Sequence, residues 1–374
     1  MSGEPRAGAS AASPARAVPM LTPPAETRRH RLLFALLFAL TLALVPLLGG
    51  AFAVDFVTKI MILAIFALSL ELLVGQTGLV SFGHAAFFGI GGYAAVRWSS
   101  VANDASLWWL APAAIASAAL YALLVGALSL RTRGVYFIMV TLAFAQMAYY
   151  VAHDTPLGGG SDGIYLTARP SLAIAGVKLL AIERAVPLYY AVLLLLVLVF
   201  AFLARLLRSP FGRALAGIRS NEQRMRALGF STLHYQLAAF VLSGALAGLA
   251  GCLFALKDGV VNPELLAWHQ SGAVLIMIIL GGLGSLAGAV LGAFAYVGLQ
   301  ELFQSQLLFG EFAKHWQLGV GVTIIFCVLL LPRGLIGVAA IRRSRRPIPA
   351  HAAHAANTAH GTRAGAPTAP HEIE

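Results

Sequence analysis

Five polar residues stand in or just after an apolar stretch and could contact a small solute: Glu71, Gln76, Ser81, His84 and Tyr93. Ionisable groups at membrane depth are costly, so they are functional candidates by default. The plainer role, a hydrogen bond holding a chain bend, carries the greater weight for Glu71 and His84. A second group lies in "FGRALAGIRSNEQRMRALGF" (Phe211–Phe230), the most charged internal segment. There Gly212, Arg213, Ile218, Arg219, Glu222, Arg226 and Gly229 combine an apolar stripe with charge. No catalytic chemistry accompanies either group. A P-loop needs a lysine directly after glycine; Lys59, Lys178, Lys257 and Lys314 are the only lysines, and none follows one. His-Glu-x-x-His and Cys-x-x-Cys are absent too, so the chain reads as no enzyme.

The elements that must position these residues can be read from composition. The chain has 374 residues, of which 59% are hydrophobic and only 11% charged; its mean hydropathy is +0.82. A soluble domain carries about 25% charge. This chain has too little polar surface to fold in water, and it reads as an all-α, polytopic membrane protein. Apolar runs of spanning length fall at 32–49, 54–74, 107–130, 134–152, 187–207, 233–256, 271–283, 286–303 and 316–331, and a short glycine-rich run falls at 84–98. That is about ten helices, short or broken ones included.

Positive charge orients them. With both termini inside, most of the 26 Lys and Arg residues fall in inner segments, while Lys59, Arg97, Arg169, Lys178, Arg184, Lys257 and Lys314 fall outside. This is the positive-inside bias. The net charge of +11 therefore reports topology and gives no reason to expect nucleic acid. Residues 1–31 and 339–374 read as disordered cytoplasmic tails around a transmembrane domain at 32–338. The tail histidines His351, His354, His360 and His371 read as solvated, and no metal site is expected. Cys252 and Cys327 lie in apolar runs without metal-ligand spacing.

"GQTGLVSFGHAAFFGIGGYAA" (Gly75–Ala95) holds six glycines. Irregular backbone in a membrane survives only where protein or a cavity surrounds it. Gly75, Gly78 and Gly83 fit a bend between two apolar runs, and Gly89, Gly91 and Gly92 fit a close-packing face; close packing throughout is an equal alternative. "GLVS" (Gly78–Ser81) returns as "GLGS" (Gly282–Ser285), a weak echo. Residues 211–228 are helix-compatible, with Ser209-Pro210 before and Gly229 after. Such a helix suits either the anionic inner leaflet or a cytoplasmic partner, and the residues themselves do not choose.

The chain resembles the LivM-type inner-membrane permease of branched-chain amino-acid ABC importers. The matching stretches are the glycine-rich segment, "LRTRGVYFIMVTLAFAQ" (Leu130–Gln146), "GGGSDGI" (Gly158–Ile164), the charged segment at 211–230, "LAGLAGCLFA" (Leu246–Ala255) and "MIILGGLGSLAGAVLGA" (Met277–Ala293). They cover most of residues 55–338, in the family's order. The resemblance implies a multi-pass protein of the bacterial inner membrane with both termini cytoplasmic. It implies a second homologous permease, cytoplasmic ATP-binding subunits and a periplasmic solute-binding protein as partners. ATP would be bound by the partner ATPase, leaving no cofactor in this chain. The segment at 211–228 would dock into that ATPase, with Glu222 and Gly229 where the family motif places its acid and its helix stop. Branched-chain amino acids would be the cargo, with urea or short amides as the alternative. An ion-coupled carrier would need more buried carboxylates than this chain offers.

Overall fold

The computed structural model describes residues 38–101, 107–166, 172–174, 177–180, 185–331 and 334–337. Both expected tails lie outside the described residues. The chain divides into two compact units, Met1–Val45 and Pro46–Glu374. A short apolar helix, α1 (Phe38–Leu48), comes first. The second unit carries α2 (Ala51–Thr77), α3 (His84–Val101), α4 (Leu107–Ser129), α5 (Val135–Asp154), α6 (Ala185–Arg208), α7 (Pro210–Ser220), α8 (Glu222–Ala227) and α9 (Thr232–Asp258). It continues through α10 (Trp268–Gly281), α11 (Leu286–Gln304), α12 (Gln306–Phe309) and α13 (Trp316–Leu330). The all-α, membrane-spanning class holds. Among the described residues seven helices are long and apolar enough to cross a bilayer. The sequence count of ten is looser, because it also takes in α1, α3 and α10; α1 and α10 are shorter apolar helices.

α2 is the buried centre of the second unit. Its most apolar stretch is 83% buried, against 61% in α9 and 17% in α5. A helix apolar on every side must be surrounded, and α9, α11, α6, α10 and α7 all pack on α2. Close approach depends on small residues, since lipid tails offer no hydrophobic drive to pack helix on helix. A Cβ on Gly91 of α3 would run into the backbone of Gly248 in α9, and one on Gly251 of α9 would run into the Phe88 carbonyl. A Cβ on Gly89 would run into the Leu266 side chain, and one on Gly92 would lie 3.3 Å from the Gly251 carbonyl. The packing face expected at Gly89, Gly91 and Gly92 is therefore real.

The expected bend is real too, but it is shorter at its start. α2 runs through Gly75 and stops at Gly78, which takes the left-handed conformation (φ 76°) and caps the helix through N–H to Val74 O at 3.2 Å. Side chains take up the loosened backbone amides. Phe82 N–H bonds Thr141 Oγ1 of α5 at 3.4 Å, Gly83 N–H bonds Ser81 Oγ at 3.1 Å, and Ala85 N–H bonds Ser271 Oγ of α10 at 2.8 Å. Irregular backbone is tolerated here because protein surrounds it.

Two features depart from the sequence reading. The single helix expected at 211–228 is two, broken at Asn221. That residue is extended (φ −161°, ψ 98°), and its side chain accepts the Arg224 N–H at 2.8 Å. Asparagine caps a helix start better than it sits inside one. The break folds Met225 over Gly217, where a Cβ would lie 2.8 Å from its sulfur. The second departure is a pair of small sheets. β1 (Ile164–Tyr165) pairs antiparallel with β4 (Val260–Val261), with Ile164 opposite Val261, and β2 (Leu172–Ile174) pairs antiparallel with β3 (Val177–Leu180). Strands this short show no alternation that a sequence could reveal.

Candidate functional site

The two ends of the second unit are chemically different. At one end, Lys257 of α9 bonds Asp55 of α2 at 3.0 Å and Asp258 at 2.9 Å. Arg97 of α3 donates to the Leu157 carbonyl at 2.7 Å. The β1–β4 ribbon lies here, extended by Leu166 N–H to Gly259 O at 2.8 Å. The sequence assigned Lys257, Arg97 and the loop after α5 to one side, and the fold brings them together.

The opposite end carries α7 and α8. α7 buries Gly212, Ala214, Leu215 and Ile218 and turns Arg213 outward. Gly212 has to be glycine because a Cβ would press on the Leu207 backbone at 2.5 Å. α8 buries nothing. Glu222 ties it down, pairing with Arg226 at 2.5 Å and with Arg133 of the α4–α5 connection at 3.7 Å, and accepting from Thr232 Oγ1 at 3.1 Å. Arg226 Nε also donates to Thr232 Oγ1 at 3.0 Å. Gly229 ends the segment at φ 86°, a left-handed conformation that favours glycine. The result is a charged protrusion held on the membrane helices by one apolar face.

The five pathway candidates separate into three places. Glu71 is fully buried in α2, and neither carboxylate oxygen has a partner at full hydrogen-bond geometry. The backbone amides of Gly284 and Ser285 and the Arg219 guanidinium act on it electrostatically. The side chain folds back over Gly75, where a Cβ would overlap the carboxylate. Gln76 is half-buried in the last turn of α2. Ser81 is buried in the bend, where it accepts from Gly83 N–H.

His84, the first residue of α3, is fully buried. Ser243 Oγ of α9 lies 2.6 Å from its Nε2 and 2.5 Å from the Ser69 carbonyl of α2. A serine hydroxyl has one proton. Ser243 donates it to the carbonyl, so His84 donates from Nε2–H and carries its lone pair on Nδ1. That nitrogen is buried without a partner. Three helices are thus pinned by one polar chain, and the ring sits edge-on to Phe87 at 5.4 Å. Tyr93 lies nine residues further, about 14 Å along α3 at 1.5 Å per residue. Its hydroxyl is buried and also unpartnered. No hydrogen bond among the described residues joins Glu71 to His84.

The fold instead brings Glu71 to Arg219, from the other predicted group. Arg219 Nη1 donates to the Gly75 carbonyl. Its Nη1 also lies 3.8 Å from where a Cβ on Gly284 would be, and its Cγ lies 3.5 Å from the same position on Gly78. Arg133, Thr232, Ser69, Ser243, Ser271 and Thr141 were missed in the sequence. Small polar residues inside apolar runs are the signal that marks several of them, but their partners are tens of residues away in the chain. Among the described residues no group of three or more His, Cys, Asp or Glu is placed to hold a metal ion.

A multi-pass helical membrane protein with glycine-mediated helix contacts, a buried bend and a charged protrusion at one end has the build of a permease. Residues 52–329 match the family described as branched-chain amino acid transport system / permease component, and the chain belongs to that family. Its curated relatives include the high-affinity branched-chain amino acid permease LivM of Escherichia coli K12. That relative is 32% identical over 83% of this chain and 76% of its own length. LivM of Salmonella typhimurium is 32% identical over 78% of this chain and 71% of its own length. BraD of Pseudomonas aeruginosa, another branched-chain amino acid permease, is 25% identical over 73% and 91%. No solved structure matches the chain.

Proposed function

We propose that this chain is the membrane-spanning subunit of an ATP-driven importer for branched-chain amino acids or related small polar solutes. The observation that carries the proposal is the α7–α8 protrusion. It is fixed to the membrane helices by its apolar face and by Glu222, and it offers Arg213, Arg224 and exposed backbone to a partner. A surface of this kind suits docking into a cytoplasmic ATPase, which would bind the ATP. This end, with both termini and the 1–31 and 339–374 tails, then faces the cytoplasm of a bacterial inner membrane. The β1–β4 ribbon faces a periplasmic solute-binding protein, and a second homologous permease completes the pathway through the domain at 32–338. The chain itself carries out no catalysis.

The mechanism is alternating access: closure of the ATPases moves α7 and α8, and the paired permeases exchange an outward for an inward opening. His84 and Ser81 are occupied holding the bend. Tyr93 is the stronger pathway candidate, because a buried hydroxyl without a partner is available to a solute; Gln76 and Glu71 border the bend. The test is purification from the native membrane followed by reconstitution. A second permease, P-loop ATPases and ATP-dependent uptake of radiolabelled leucine support the reading. A chain that purifies alone and transports leucine without ATP refutes it in favour of an ion-coupled carrier.

A further inference from the structure

We propose that Arg219 and Glu71 form a two-position joint through which α7 drives the membrane helices, with Arg219 the positioning residue and Glu71 its alternative acceptor. The proposal rests on the importer reading above.

The geometry is that of a side chain with two partners and one of them unused. Arg219 reaches from α7 to donate to the Gly75 carbonyl, at the last turn of α2. The same side chain touches the positions over Gly78, where α2 stops, and over Gly284, in the α10–α11 turn. One arginine side chain therefore lies beside both places where the membrane helices break at this end, its Cγ near Gly78 and its Nη1 near Gly284. Glu71 lies one helical turn before Gly75. It is fully buried, and both carboxylate oxygens lack a partner at full hydrogen-bond geometry. The backbone amides of Gly284 and Ser285, in the same α10–α11 turn, donate to it at less than full hydrogen-bond geometry, so the acid already holds that turn. Among the described ion pairs none joins Glu71 to Arg219, although they are close enough to interact electrostatically.

A fixed latch would not leave the acid this way. Burying a carboxylate costs several kcal/mol, and a pairing guanidinium is the natural remedy. Arginine presents five donors in a rigid fork that matches a carboxylate better than a single carbonyl. Here it bonds the carbonyl. The carboxylate is kept in place by the gap over Gly75, which any larger residue would close. A bistable element needs two discrete arrangements of similar cost. Arg219 on the Gly75 carbonyl is one. Arg219 on the Glu71 carboxylate, after a small movement of α7, is the other. The second position pulls on α2 and releases the α10–α11 turn, so a shift at the docking surface becomes a shift at the helix breaks.

The test uses the complete complex in proteoliposomes, with leucine as probe, and reads leucine taken up per ATP hydrolysed. The variants are Glu71→Gln, Arg219→Lys, Arg219→Gln and the Glu71→Gln/Arg219→Gln pair. Assembly with the ATPases and ATP hydrolysis are measured beside uptake in each, so that a variant that has lost its ATPases is told from one that has lost coupling. Uptake per ATP is expected to fall about tenfold in every single variant, within the usual span of coupling effects. The double variant is expected to be no worse than the poorer single, because the two act as one unit. Wild-type stoichiometry in the singles, or losses that multiply in the double, overturns the joint. If Glu71→Gln fails to assemble, Arg219→Lys decides, since it keeps the charge and most of the side chain's bulk. A wild-type complex that takes up no leucine with ATP refutes the importer reading instead, which keeps the two failures apart.

Discussion

Gly91→Ala measures how tightly α3 and α9 are joined. The added Cβ would meet Gly248 itself, with its Cα at 2.5 Å and its carbonyl carbon at 2.6 Å. An ordinary contact of this kind is about 3.5–4.0 Å. No side chain can rotate away, because the obstacle is backbone, so the two helices must part by roughly 1 Å. A gap of that size forfeits about a quarter to a half of each contact along the seam, and overpacking typically costs about 1–3 kcal/mol. Alanine recovers about 1 kcal/mol of helix propensity over glycine. Set against that gain, the overpacking leaves an expected net loss of up to about 2 kcal/mol. Gly298 of α11 is the control, since a Cβ there meets nothing within 4 Å. Gly298→Ala should keep the propensity gain and be neutral or up to about 1 kcal/mol more stable. Thermal unfolding of the detergent-purified chain, followed by size-exclusion chromatography, ranks the two variants. If Gly91→Ala proves as stable as Gly298→Ala, the close α3–α9 approach is wrong.

Other outcomes rest on single contacts. Ser243→Ala removes the acceptor of His84 Nε2–H and the donor to the Ser69 carbonyl; it should cost about 1–3 kcal/mol, and an unfolding midpoint equal to wild type would contradict the His84 chain. Glu222→Arg breaks half-exposed ion pairs, each contributing about 0.2–1 kcal/mol. The folded chain should therefore remain while ATPase co-purification is lost, and unchanged co-purification would count against docking at α7–α8. Tyr93→Phe deletes a hydroxyl that is buried without a partner. Stability should hold or rise, while the KM for leucine uptake rises; an unaltered KM removes Tyr93 from the pathway. Gly229→Ala forces a side chain into φ 86° and should cost about 1–2 kcal/mol locally, visible as faster amide exchange confined to residues 222–231.

Much of the fold was legible because lipid imposes a simple code. A helix that spans a bilayer has to be apolar for its whole length, so α2, α4, α5, α6, α9 and α11 announce themselves in the sequence to within a few residues. Gly89, Gly91 and Gly92 were legible for a similar reason, since repeated glycine within a membrane helix lets another helix approach closely. Asn221 was not. The charged stretch has helical composition throughout, and the break comes where Asn221 caps α8, which brings Met225 over Gly217. The β1–β4 ribbon joins residues almost a hundred positions apart, and its strands are too short to carry a pattern.

The sequence by itself determined the class of protein, the order of its membrane helices, the charged segment and the identity of the polar residues within reach of lipid. These depend on composition and on local spacing, which a chain carries before it folds. Tertiary structure alone decided which polar residues meet. Glu71 and Arg219 are 148 positions apart in the sequence, as His84 and Ser243 are 159 apart, and nothing local to either member names its partner. In a membrane each buried donor and acceptor has to be answered from within the protein. Only the packing of α2 against α7 and α9, and of α3 against α9, determines which answer it receives and which groups, such as both oxygens of Glu71, are left short of a full hydrogen bond.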